Sequence, residues 1–374
     1  MSLVHTEVAI IGAGLVGAAT ALALRRAGVA AVLVERGLCG ARASGVNFGG
    51  VRRQGRSVEQ LYLAQRAHGI WARLPELIGT DAEYVRSGHL KLARSQADLE
   101  RLAAYREQVR DFDLDLQIIE GAALRRRFPA LGPDVAGGSL CPADGQANPR
   151  LVAPAYAHAA LRHGARLLEH CAIAEADARG DDFLLCAKDG RRIRAAWVVN
   201  AAGAWGAEVA SWFGDALPLQ VKYPTMLVTE PLTPQIGVSL GVEGGGFYAR
   251  QVARGNVVMG GGYGVGLPGN RSRPGRAALA GLGATAPAIL PALARASVIR
   301  CWSGIEGYFS DKNPVIGLSP TVPRLLHAFG FSGGGFQIAP AVGEVVAEMI
   351  MGRNTLMMPG RFAPARWAGA AGAP

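Results

Sequence analysis

The residues with the plainest chemical meaning lie near the start of the chain. Gly12, Gly14 and Gly17 stand in the run GAGLVG, and Glu35 follows about 20 residues on. Residues 7–11 (EVAII) are apolar and read as a buried strand. Residues 18–27 are rich in alanine and leucine, lack proline and predict a helix, which Gly28 would end. Residues 30–34 form a second apolar strand that finishes at Glu35. Strand, glycine turn, helix, strand and acid at this spacing make a cradle for a dinucleotide diphosphate. Gly12 permits the tight turn, Gly14 leaves room for the pyrophosphate, and Gly17 lets the helix pack on the strand. The helix N-terminus offers free N–H groups and a partial positive charge to phosphates. Glu35 can accept hydrogen bonds from both ribose hydroxyls and would repel a 2′-phosphate, which counts against NADP. The bland alternative is a glycine-rich turn with no ligand.

The elements beyond this cradle bear on which dinucleotide it holds. An NAD domain would continue into another helix after the second strand. Residues 36–55 instead read RGLCGARASGVNFGGVRRQG, with six glycines and little apolar periodicity. Such backbone can lie against a flat flavin ring, and Ser44 and Asn47 are placed to bond phosphate or flavin edges; an ordinary surface loop is the alternative. Residues 197–205 (WVVNAAGAW) predict a strand running into a turn of small residues. Residues 325–331 predict another strand, followed by SGGGFQ and a helix from about 339 to 350 with Pro340 in its first turn. A helix opened by glycines suits the anionic edge of a reduced flavin, or a phosphate.

Half of the 374 residues are apolar, enough for a sizeable core in two or three domains. The net charge of +10 comes from 39 basic and 29 acidic residues, with the arginines thinly spread apart from Arg125, Arg126 and Arg127. This reads as a solvated surface that attracts anionic ligands, with no nucleic-acid partner. The five cysteines, Cys39, Cys141, Cys171, Cys186 and Cys301, have no CxxC spacing. No disulfide framework, zinc site, iron–sulfur site or other metal is expected, and a reducing, cytoplasmic location fits. No signal peptide and no transmembrane segment are expected.

Taken in order, these segments resemble the D-amino-acid oxidase-like flavoprotein family, which includes glycine oxidase, sarcosine oxidases, D-amino-acid dehydrogenases and the FAD subunits of opine and hydroxyproline dehydrogenases. The resemblance rests on Gly12, Gly14 and Gly17 with Glu35, on Ala43-Ser44-Gly45 with Asn47 and Gly49, and on three longer runs: VVNAAGAW at 198–205, WSGIEGYFSDKNPVIG at 302–317 and FSGGGFQIAPAVGEVVAEMI at 331–350. It implies an α/β fold: a Rossmann-type FAD-binding domain (GR2-like) from residues 1–83, 146–216 and 308–362. A second, α+β substrate domain on a mixed antiparallel sheet would come from 84–145 and 217–307, leaving 363–374 as a tail. Residues 246–262 agree, reading as two strands around a polar turn at Arg254-Gly255-Asn256. FAD would lie extended and non-covalent, its adenosine on Gly12 to Glu35 with Ile173 beside the adenine. Arg36, Arg42, Ala43, Ser44, Asn47 and Gly49 would line the stretch from pyrophosphate to flavin, and Gly203 and Trp205 would pass near the ribityl chain. Gly304, Gly333, Gly334, Gly335, Phe336 and Gln337 would complete the set, the last five at the pyrimidine edge. Some members link flavin through cysteine or histidine, but neither Cys301 nor His327 matches such a position.

Flavin oxidation of an amine moves a hydride from the C–H beside nitrogen to flavin N5, and the nitrogen must be neutral. No general base is strictly needed, in keeping with a sequence that shows no Ser–His–Asp or paired-carboxylate set. Glycine oxidase-like members carry an arginine in a WxGxR pattern; here Glu306 stands there. An acid can hold an amine or guanidinium, so the expected substrate carries an extra cationic group, as an opine or basic D-amino acid does. A structural pairing of Glu306 with an arginine is the alternative. The substrate carboxylate would meet Tyr248 and Arg250, or Arg52 and Arg53, strand packing or a solvated surface being the other reading of each; Lys222 and Tyr223 are further candidates. The expected partners are a small amine or amino-acid substrate and subunits for electron transfer, which could tie the chain to the inner membrane. Oxygen or a quinone would be the other electron acceptors. The competing functions are an NAD-dependent dehydrogenase and a non-catalytic flavin-binding subunit.

Overall fold

A computed structural model describes residues 3–353 and 360–367. The apolar run at the start forms the strand Leu3–Ile11, which lies parallel between Ala31–Val34 and Arg192–Asn200. Strands buried on both faces read as continuous apolar runs, and Val8, Ala9 and Ile10 are fully buried. The sheet has eight strands. Its main path runs Val315–Leu318, Leu325–Phe329, Arg192–Asn200, Leu3–Ile11, Ala31–Val34 and Arg166–Leu168. Ile173–Arg179 and Asp182–Ala187 join it as an antiparallel meander on Arg192–Asn200.

One face is covered by the helices Leu15–Arg26, Val58–Trp71, Pro149–Arg162 and Gly335–Ile350, which share one apolar core with it. Small residues allow close approach: a Cβ on Gly343 would lie 2.5 Å from the Ala19 carbonyl carbon. The last helix opens at Gly335, four residues before the expected start, because the glycine run itself turns into it. The stretch 36–55 is less irregular than expected, since Ala43–Val46 makes a helical turn and Gly50–Val51 a short strand.

The second sheet also has eight strands: Val298–Ser303, Pro224–Pro231, Asn256–Tyr263, Tyr248–Gln251, Ser239–Val242, His89–Ala93, Gly137–Cys141 and Gln117–Glu120, in that order. Only the Ser239–Val242 and His89–Ala93 pair is parallel, which makes it the mixed antiparallel sheet expected. The two strands foreseen within 246–262 are Tyr248–Gln251 and Asn256–Tyr263. Helix Arg276–Ile289 packs on this sheet over a separate core around Leu90, Leu92, Phe247 and Leu282.

Two thin antiparallel ribbons sit where the chain passes between the sheets. Gly50–Val51 pairs with Gly145–Gln146, and Gln220–Lys222 pairs with Glu306–Tyr308. Within the expected tail, Pro364–Trp367 makes a 3-10 turn and Trp367 stacks on Phe309 at 5.5 Å. Residues 1–2, 354–359 and 368–374, within the expected FAD domain and tail, lie outside the described residues. Among the described residues no helix is long and apolar enough to cross a membrane, and no cluster of His, Cys, Asp and Glu could hold a metal ion.

Candidate active site

A cavity of about 770 Å3 runs from the glycine turn to the underside of the second sheet. That is within the range for a cofactor or ligand cleft. At its nucleotide end, Gly12 adopts φ +106°, and a Cβ there would lie 2.5 Å from the Ala201 carbonyl oxygen. A Cβ on Gly17 would run into the Gly12 carbonyl. Gly14 lines the cavity, whereas Gly17 is buried in the helix–strand contact. Glu35 is held by two backbone N–H groups, from Ala13 at 3.0 Å and Gly37 at 2.9 Å. Each oxygen keeps a lone pair for a ribose hydroxyl.

Ser44 Oγ accepts from Leu15 N at 2.8 Å and so caps the first helix from outside it. Asn47 donates to the Ala43 and Ser44 carbonyls and accepts from Gly49 N. These two polar side chains line the cavity, but their bonds shape the loop around it. Arg36 lies with its guanidinium 3.5 Å from the centre of the Trp205 ring. Burial first, and Arg42 second, pull its pKa down, and its buried Nη2 has no partner. Arg42 Nη1 donates to the Asn270 carbonyl at 3.0 Å, and Trp205 Nε1 donates to Asn270 Oδ1 at 2.8 Å. Asn270 belongs to the tip of a hairpin, Val265–Leu267 and Arg271–Arg273, from the second sheet's part of the chain. Ala43, Gly49, Ile173 and Gly203 also line the cavity.

The far end of the cavity is bounded by Gly333, Gly335 and Phe336. Gly333 has φ +81°, and a Cβ there would lie 3.1 Å from Tyr308 Oη. Besides Gly17, three residues expected to bind cofactor do not line the cavity. Gln337 is buried in the core, donating to the Ala64 carbonyl while its own carbonyl accepts from Trp71 Nε1. Gly334 turns its carbonyl to Arg56 Nη2 at 2.9 Å. Gly304 sits between Val46 and Glu306. A Cβ-free turn, a prepared ribose acceptor, an orphaned guanidinium nitrogen and the glycines at the far end together fit an extended flavin dinucleotide.

Beside these glycines stands Glu306, on the ribbon strand Glu306–Tyr308. Its Oε2 accepts from Tyr308 Oη at 3.1 Å. Burial raises its pKa, and the Tyr308 bond opposes this in part. The expected alternative, a structural pairing with an arginine, does not occur: Glu306 has no ion-pair partner among the described residues. Lys222 is its register partner, but the Lys222 ammonium lies over the rings of Tyr308 and Tyr263, 5.1 and 5.6 Å from their centres. The Tyr223 carbonyl accepts from Ser303 Oγ and from Gly264 N, and Tyr223 does not line the cavity.

Tyr248 lines the cavity with its ring edge-on to Phe48, and burial with Glu306 nearby keeps its phenol protonated. Arg250, expected beside it, points elsewhere. Its Nε donates to the Phe48 carbonyl at 2.6 Å, so it props the loop from behind and does not line the cavity. The surface reading of Arg250 fails as well, since the side chain is buried, and that burial brings its pKa down to about 10. Arg53 is buried against Asp144 Oδ1 at 3.4 Å. Arg52 lines the cavity.

Sequence reading missed His89, Lys91, Glu243 and Tyr308 as wall residues. The strand His89–Ala93 carried a signal: its leucines alternate with His89 and Lys91, and Leu90 and Leu92 fill the second core. Period two therefore turns the histidine and the lysine toward the opposite, cavity face.

Comparison with known proteins agrees with this geometry. A family profile described as FAD dependent oxidoreductase matches residues 7–349. Glycine oxidase from Bacillus subtilis (strain 168) is 27% identical over 362 residues, covering 94% of each chain. An opine oxidase subunit from Rhizobium meliloti is 27% identical over 85% of this chain and 86% of its own. The crystal structure of L-proline dehydrogenase from P. horikoshii superposes with a TM-score of 0.92 at 26% identity, over 99% of both chains.

Proposed function

The chain belongs to the FAD dependent oxidoreductase (DAO) family, and from that premise we propose that it oxidises the C–N bond of a small amino acid, imino acid or opine, with Glu306 meeting the substrate nitrogen. It is an FAD-dependent oxidoreductase of amines or amino acids, so the nicotinamide alternative falls away. Bound FAD supplies the hydride acceptor at N5. The observation that carries the reading of Glu306 is its unpaired carboxylate, set beside Gly333 in the cavity that also holds Gly14 and Glu35.

The residues' tasks follow from their positions. Gly12, Gly14 and the N-terminus of helix Leu15–Arg26 hold the diphosphate, and Glu35 holds the ribose. Arg36, stacked on Trp205, offers its orphaned nitrogen to the cofactor's anionic stretch. An incoming ammonium must lose a proton before hydride can leave its carbon. Glu306, with its raised proton affinity, takes that proton, while Tyr308 fixes Oε2 and Tyr248 closes the wall. In a substrate with an extra cationic group, the ionised carboxylate holds that group and the reacting amine must enter neutral.

FAD is read as non-covalent, because neither Cys301 nor His327 lines the cavity; His327 is buried against Asp215 at 2.8 Å. A relative named as a subunit supports association with partner proteins, and attachment to a membrane would then come through them.

Anaerobic mixing of the yellow holoprotein with D-amino acids, N-methyl amino acids, imino acids and opines tests the proposal. One class is expected to bleach the flavin, and Glu306→Gln to slow that bleaching. A flavin reduced by none of them, or equally fast in Glu306→Gln, would overturn it.

A further inference from the structure

We infer that His327, although it lies outside the cavity, is a positioning residue for the cofactor: held by Asp215, it fixes Asn200, and Asn200 pins the turn that carries Trp205 and seats Arg36. The inference rests on the flavin reading of the cavity and extends it to a buried network behind the wall.

Asn200 and His327 are register partners on the parallel strands Arg192–Asn200 and Leu325–Phe329. Asn200 is the last residue of its strand, at the carboxyl end of the sheet where folds of this kind bind ligands. Both side chains are fully buried. Buried polar groups need partners, and here the partners decide every role. Asn200 Nδ2 donates to the Gly206 carbonyl at 2.8 Å, and its Oδ1 accepts from Ala202 N at 3.3 Å. A carbonyl cannot donate and a backbone N–H cannot accept, so the amide cannot be turned over. The same Nδ2 lies 3.1 Å from His327 Nδ1, and a donor there requires a lone pair on that nitrogen. The ring proton therefore sits on Nε2, which donates to Asp215 Oδ2 at 2.8 Å. Asp215 is itself buried. Burial pushes its carboxyl up, but hydrogen bonds from His327, Ser319 and Thr321 outweigh this and hold it below the ordinary range. An ionised Asp215 can only accept, which fixes the tautomer from the far side as well.

The two backbone groups that Asn200 holds bracket the 3-10 turn Gly203–Trp205, and all three residues of that turn line the cavity. The chain just before it is tied to the cradle, since Ala201 N donates to the Ile11 carbonyl at 2.9 Å. Trp205 at the end of the turn seats the Arg36 guanidinium, whose buried Nη2 has no partner. Removing the imidazole leaves one Asn200 N–H and the Asp215 carboxylate unmet in the core. Unmet buried groups cost more than the bond they lose, so Asn200 turns to find a partner and the turn shifts with it. Trp205 and Arg36 then leave their places against the cofactor.

The test follows FAD release from the holoprotein by the rise of free-flavin fluorescence, at a temperature below the melting of every variant. His327→Leu is expected to speed release about tenfold, the worth of one hydrogen bond. His327→Asn keeps a carbonyl that can accept from Asn200, and is expected to release FAD at least about threefold more slowly than His327→Leu. In a Trp205→Leu background the turn no longer seats Arg36, and adding His327→Leu is expected to change release by less than about threefold. A merely structural role would multiply the two effects in full. If His327→Leu yields no folded holoprotein, Asp215→Asn carries the same cycle, with an expected acceleration of about three- to fivefold that also fades in the Trp205→Leu background. Unchanged release in the variant tested, full multiplication with Trp205→Leu, or a His327→Asn variant as fast as His327→Leu would overturn the inference. A parent protein that takes up no FAD would instead end the flavin reading itself.

Discussion

Gly14 and Gly17 stand three residues apart in one motif, yet the structure assigns them different work, and substitution separates the two. A Cβ on Gly14 would lie 3.0 Å from Ser44 Oγ and nothing else closer than 4.0 Å, on the side that opens to the cavity. Ser44 must then give by a few tenths of an ångström, loosening its 2.8 Å bond from Leu15 N. A valine there would also fill the space where a diphosphate approaches the helix N-terminus. Losing two charge-assisted hydrogen bonds to phosphate costs roughly 3–6 kcal/mol, or about 10²- to 10⁴-fold in FAD affinity. Gly17 faces the Gly12 carbonyl, so Gly17→Ala must push the helix off the first strand. Overpacking of this kind costs typically about 1–3 kcal/mol of fold stability. Apoprotein of each variant would be titrated with FAD by flavin fluorescence and melted without it. Gly14→Val should lose FAD affinity with a nearly unchanged apoprotein melting temperature; Gly17→Ala should lower that temperature. Gly14→Val binding FAD within about threefold of the parent, an effect under about 0.7 kcal/mol, would refute the reasoning.

Three further outcomes follow. Because burial raises the Glu306 pKa, the unfolded chain ionises first as pH rises through the ordinary carboxylate range, and the folded protein loses stability until Glu306 itself ionises. Glu306→Gln should therefore match the parent in acid and exceed it in unfolding free energy toward neutral pH, by about 1.4 kcal/mol for each pH unit that separates the folded and unfolded titrations; a gain confined to acid would contradict this. Asp144→Asn leaves the buried Arg53 guanidinium without its counter-ion and should cost about 3–5 kcal/mol, read as an early loss of flavin on heating. Asn270→Gly removes the Trp205 Nε1 bond while keeping the backbone carbonyl that Arg42 uses, and should speed FAD release severalfold, about what a hydrogen bond of 1 kcal/mol contributes; unchanged release would dismiss the contact.

What sequence could show depended on how local each contact is. The Gly12 to Glu35 cradle lies within 24 consecutive residues, and its strand, turn, helix and second strand formed in the expected order, the helix starting at Leu15, three residues early. Glu306 was legible because it replaces an expected arginine inside a recognisable run, but its lack of an arginine partner was not, since Lys222 could have turned either way on the ribbon. Arg250 and Arg52 looked alike as sequence; only the packing of Phe48 sends one behind the loop and leaves the other in the cavity. Gln337 occupies the right helix turn but the wrong face, and a one-residue rotation on a helix start lies below what periodicity resolves. His89 and Lys91 were legible through the alternation of their strand. The grip of Asn270 on Arg42 and Trp205 spans 228 and 65 residues and carries no pattern at all.

That grip also bears on how the holoprotein comes into being. The hairpin tip closes over the nucleotide end from a segment made late in the chain, after the cradle and its acid have left the ribosome. A dinucleotide threaded beneath it must arrive either before the clasp shuts or during a transient opening. Departure of the cofactor would then require the Asn270 contacts to Arg42 and Trp205 to break.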